Sequence, residues 1–141
     1  KSAPDLGAAI GEACPRGIDV FFDNVGGSTA DTVMDHLARG ARVVVCGSIS
    51  QSSLDRPEHG PRAQAKLMTA WASMQAFNVF QFQDRHEEGR RRLADWLRTG
   101  KIVHREDIVD GLDNAPHAFI GMLRGENFGK LLVKVADRRE P

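Results

Sequence analysis

Two hydrophobic strands, each running into a tight glycine-bearing turn, constrain this chain more than any other feature. The first, Ile18 to Phe22, leads into Asp23-Asn24-Val25-Gly26-Gly27. The second, Val43 to Cys46, leads into Gly47-Ser48-Ile49-Ser50. The residues between them have the length of one crossover helix. Strands joined that way pair in parallel, which brings both turns to the same carboxyl edge. Open α/β sheets bind ligands at that edge. The expected fold class is therefore α/β with a parallel sheet, and the expected site lies along the paired turns.

The rest of the chain fits around this pair. Leu6, Ile10 and Ala13 have helical spacing, and Pro15 and Gly17 end that helix. Strand one is almost continuously apolar, as a strand covered on both faces is. Ser28 and Asp31 have capping-box spacing, with Asp in place of the usual Glu. Val33, Met34, Leu37 and Ala38 then read as one helical stripe closed by Gly40. Residues 50 to 62 have loop composition. Ala63 to Ala72 reads as a helix, Phe77 to Phe82 as a third strand at the sheet edge, and Leu93, Trp96 and Leu97 as one face of a further helix. From Lys101 the rhythm changes: short strand pieces at Ile102 and Ile108-Val109, a helix with stripe Ala115, Ala118, Phe119, Met122 and Leu123, and an alternating strand from Lys130 to Val135.

Charge and cysteine content exclude whole classes of function. Lys plus Arg equals Asp plus Glu, 19 of each, which leaves no basic excess for nucleic acid or anionic membrane to bind. No apolar run approaches the ~20 residues that span a bilayer. The first residues lack a signal peptide's apolar core. With only two cysteines, Cys14 and Cys46, a reduced, cytoplasmic setting is expected, and Cys46 is expected to be a buried small hydrophobe. His36, His59, His86, His104 and His117 share no ligand spacing with each other or the cysteines, so no metal site is expected. Ser48 follows a strand, but Gly47 immediately before it and Ser50 after it break the Gly-x-Ser-x-Gly elbow of a hydrolase.

No Gly-x-Gly-x-x-Gly follows a strand anywhere in the chain, so a dinucleotide fold here would be its second half. Three motifs in order carry a resemblance to that half: Asp23-Asn24-Val25-Gly26-Gly27, Cys46-Gly47-Ser48-Ile49-Ser50-Gln51, and Gly125-Glu126-Asn127-Phe128-Gly129-Lys130. Together they resemble the zinc-independent medium-chain dehydrogenase/reductases, in the branch of prostaglandin, alkenal and curcumin reductases. The resemblance implies a C-terminal fragment. Residues 1–100 would be the second half of a Rossmann-type, doubly wound NADP-binding domain, and residues 101–141 a segment returning to a GroES-like catalytic domain.

The same resemblance implies the chemistry: NADP(H)-dependent reduction of the C=C bond of an α,β-unsaturated ketone or aldehyde. A quinone oxidoreductase and a non-catalytic assembly module stand as alternatives. The implied cofactor contacts are Asn24, then Cys46, Gly47, Ser48, Ile49, Ser50, Gln51 and Ser52 on the second turn, Phe77, Asn78 and Val79 beside the nicotinamide, and Asn127 from the last segment. Its implied partners are a small enone, aldehyde or quinone substrate and a second copy of the chain joined through the edge strand near Phe77–Phe82. Ser52 stands where the family often has a tyrosine, Asn78 where it usually has an apolar residue. The implied ligand of the cofactor 2′-phosphate lies upstream.

Overall fold

The computed structural model describes residues 3–52, 54–56 and 58–136. They form two compact units that part between Gln83 and Asp84. In the first, the elements in order are helix α1 (Leu6–Ala13), strand β1 (Ile18–Asp23), helix α2 (Gly27–Met34), strand β2 (Leu37–Val45), helix α3 (Ala63–Ala70) and strand β3 (Ser73–Ala76). The sheet order is β1-β2-β3, and both pairs are parallel. This is the α/β architecture expected from two strands joined by crossover helices.

α1 packs on α2, α2 on α3, and α3 on β2. The packed face carries Val43, 2% exposed, with Ala41, Val33 and Met34 also buried. On the other face Val20 is 52% and Phe22 54% exposed. Strand one is thus covered on one face of the described residues, not on both.

Two local readings are corrected. The stripe from Val33 to Ala38 is not one helix: α2 stops at Met34, and β2 begins at Leu37. The Ile18 N–H donates to the His36 carbonyl at 2.8 Å, so the chain enters the ladder early. The register then shifts between Ile18↔Leu37 and Val20↔Arg42, and Gly40, at φ +79°, carries this irregularity within the strand. It does not close a helix.

The expected strand at Phe77–Phe82 is displaced as well. The edge strand is Ser73–Ala76, and Val79–Arg85 coils into 3-10 turns. The Asn78 side chain accepts the Phe80 N–H at 3.0 Å, and the Gln81 side chain accepts the Asn78 N–H at 3.0 Å. These local bonds outcompete a ladder. The aromatic residues stack instead, Phe22 to Phe77 and Phe77 to Phe82, each at 5.9 Å between centroids.

Trp71 caps the C-terminus of α3 in the left-handed region, φ +53°, and the Arg39 guanidinium lies 3.4 Å from its ring centre. In the second unit, helix α4 (His86–Arg98) precedes strand β4 (Glu106–Asp110), helix α5 (Ala115–Arg124) and strand β5 (Lys130–Lys134). β4 and β5 pair in parallel, and α5 packs on β5 and buries Ala118. α4 is solvated, with ion pairs Arg90–Glu87, Arg92–Glu88 and Arg98–Asp95 along it.

Candidate functional site on the carboxyl rim

The ends of β1 and β2 lie side by side because parallel pairing continues to Asp23↔Val45. The turns beyond them stay joined. The Asp23 carbonyl accepts the N–H groups of Cys46 and Gly47, at 2.8 and 3.1 Å. The Asn24 carbonyl accepts the Ile49 N–H at 3.2 Å, and the Val25 carbonyl the Ser50 N–H at 3.0 Å. Gly26, at φ +68°, permits a close approach: a Cβ there would stand 3.1 Å from that of Ser48.

The expected capping box does not form. The N-cap of α2 is Gly26, without a side-chain bond. The carboxylate of Asp23 instead accepts the Val25 and Gly26 N–H groups at 2.8 and 2.9 Å. Sequence reading passed over Asp23 as a strand end. The signal was there in the Asp-x-x-Gly spacing, which lets an aspartate bond the backbone just ahead of it.

Most rim side chains are committed to the protein. The Ser50 hydroxyl donates to the Val25 carbonyl at 2.6 Å, and the Ser52 hydroxyl to the Ile49 carbonyl at 2.7 Å. The Gln51 amide donates to Glu58 at 2.9 Å. Asn24 and Ser48 differ: both are exposed, and neither side chain makes a hydrogen bond among the described residues. Between them lies Gly47, where a Cβ would meet Asn24 first, its nearest atom 3.6 Å away at ordinary contact distance. The fold does not need a glycine there. An amide, a hydroxyl and exposed backbone on one edge suit a flat polar ligand such as a nucleotide.

Phe77 borders the same edge, since its N–H donates to the Val45 carbonyl at 3.2 Å. Asn78 and Val79 follow it. Ile49 is 61% exposed. Cys46 is exposed rather than buried, because β2 delivers it just past the covered part of the sheet. Asn127 belongs to the second unit, where its amide donates to the Gly129 carbonyl at 2.9 Å.

Known proteins resemble this chain closely. It is 38% identical over 139 residues to the NADPH-dependent curcumin reductase of Escherichia coli, covering 95% of this chain and 40% of that protein. It is 36% identical over 136 residues to the NADP(+)-dependent 2-alkenal reductase of Nicotiana tabacum, covering 96% and 39%. The crystal structure of CurA from Vibrio vulnificus in complex with NADPH superposes with a TM-score of 0.88 at 40% identity, covering 97% of this chain and 42% of that one. The chain thus spans about two fifths of the length of the curated relatives it matches.

A family described as zinc-binding dehydrogenase matches residues 4–133. The donor set here does not fit zinc, since no group of three His, Cys, Asp or Glu converges among the described residues, and no step below uses a metal. Motifs, parallel rim and the match over residues 4–133 agree: the chain belongs to the zinc-binding dehydrogenase family, and within it is similar to curcumin, alkenal and prostaglandin reductases.

Proposed function

We propose that this chain supplies the nicotinamide-side rim of a longer NADPH-dependent reductase acting on the C=C bond of α,β-unsaturated ketones and aldehydes. The observation that carries the reading is the pair of exposed, unbonded side chains of Asn24 and Ser48 on the joined turns, with Gly47 between them. The names of the curcumin and alkenal reductase relatives support the reaction class, and the CurA complex supports the cofactor.

On this reading Asn24 and Ser48 bind the ribose and carboxamide edge. Gly47 admits the ring, while Cys46, Ile49, Ser50, Gln51 and Ser52 form the wall behind it. Phe77, Asn78 and Val79 border the ring, and Asn127 joins them from the last segment. NADPH, when bound, supplies the hydride that reduces the alkene. The rim's part is to hold a planar ring at fixed distance from its neighbour and to keep water from one side of it. Ser52 adds no proton at the enolate, because its hydroxyl is bound to the Ile49 carbonyl. The proton then comes from water or from a hydroxyl of the cofactor.

Residues 1–100 then close a nucleotide domain begun upstream, and residues 101–141 return to the catalytic domain. The assembly is a cytoplasmic homodimer paired at the edge strand β3.

The test uses the full-length protein. Calorimetry should give an NADPH Kd of order ~1 μM, about −8 kcal/mol. Incubation with a 2-alkenal and, separately, a para-quinone should consume NADPH faster with the alkenal and yield the saturated aldehyde by mass spectrometry. Faster turnover of the quinone would move the activity to quinone reduction. An unfolding temperature unmoved by NADPH would leave an assembly module without catalysis.

A further inference from the structure

We infer that Asp23 is the positioning residue of the rim, a role that neither the strand ladder nor the turn glycines supply. Asp23 is the one buried charged residue among those described, 7% exposed. It holds four backbone amides, two from each turn. Its carboxylate Oδ1 takes the N–H groups of Val25 and Gly26, and its carbonyl takes those of Cys46 and Gly47.

These amides adjoin the exposed, unbonded side chain of Asn24 on one turn and include the amide of Gly47 on the other. The ladder ends at Asp23↔Val45, so the carboxylate acts where strand pairing stops. A buried carboxylate is costly unless hydrogen-bonded. No ion pair involves Asp23 among the described residues, and its compensation is the two amides of the turn just ahead of α2. Two consequences follow. The turn around Asn24 is held at a fixed distance from Gly47 before any ligand arrives. The amides of Val25 and Gly26, already occupied, are closed to a ligand phosphate.

The role is to fix the main chain, so a neutral side chain of the same shape should serve. Asp23→Asn keeps Oδ1 in place as an acceptor for both amides, whereas Asp23→Ala removes it. The test compares these variants in the full-length protein by two measurements. The first is hydrogen exchange of the backbone over residues 20–30 and 43–51 without nucleotide. The second is NADPH affinity by calorimetry, and only this second arm rests on the reductase reading.

Asp23→Ala should speed exchange in both stretches about tenfold and weaken NADPH about tenfold, with exchange in α5 unchanged. Asp23→Asn should restore both quantities to within about threefold of the wild type. Rim exchange unchanged in Asp23→Ala overturns the proposal, as does Asp23→Asn behaving like the alanine variant. If Asp23→Ala does not fold, Asp23→Asn decides alone: wild-type exchange supports the role and fast rim exchange ends it. If the wild type takes up no NADPH, the exchange comparison still decides for Asp23, and the reductase reading falls separately.

Discussion

On the proposed reading Asn24 and Gly47 meet one ligand in opposite ways, and their substitutions should separate binding from folding. The Asn24 amide makes no internal bond, so Asn24→Ala in the full-length protein should weaken NADPH about tenfold, the worth of one net hydrogen bond. Its unfolding temperature should stay within about 2 °C of the wild type. Gly47→Ala adds a methyl at ordinary contact distance from Asn24. The fold should tolerate it equally well while NADPH binding falls tenfold or more by calorimetry, because the methyl takes the ligand's space. A large loss of stability in Gly47→Ala would mean that the glycine serves the turn, not the ligand. Ser52→Ala gives the contrary result. With its hydroxyl held by Ile49, its loss should leave the steady-state rate within about twofold. The place of Asn24 and Gly47 on the paired turns was legible in the sequence because strand, turn and glycine signals coincide there. The engagement of Ser50, Gln51 and Ser52 was not, since it depends on a 3-10 turn at Ile49–Gln51 that no spacing announces.

Among the elements, β3 shows where sequence pattern misleads. Phe77, Val79, Phe80 and Phe82 have strand-like composition, yet the edge strand is the less apolar Ser73–Ala76. Side chains of Asn78 and Gln81 decide the matter by bonding the local backbone. The same competition between levels moved the start of β2. Leu37 and Ala38 keep helical spacing, but pairing with β1 captures them. β1, α3, α4, α5 and β5 were legible because periodicity and stop signals agree in each. The edge makes a definite prediction. The Phe77 N–H points to β2, so by the alternation of the pleat the Ala76 N–H points away from it. Ala76→Pro removes that outward donor and spares the ladder to β2. The full-length protein, expected as a dimer by light scattering, should become monomeric with NADPH affinity retained. An unchanged dimer would move the interface elsewhere.

At the scale of the whole molecule, the exposed face of Val20 and Phe22 and the proposal that the rim is one part of a larger site lead to one expectation. Residues 1–141 produced alone should bind NADPH only near ~1 mM, since half of about −8 kcal/mol remains. Micromolar binding by calorimetry would show that the chain carries the full site. The division into units has a practical consequence through the chain's two tryptophans. Trp71 lies under the Arg39 guanidinium in the first unit, and Trp96 lies in α4 of the second. Each body therefore has its own indole emitter. Replacing either with phenylalanine leaves a single reporter, so two melting curves, one for each indole, give the order in which the two units unfold.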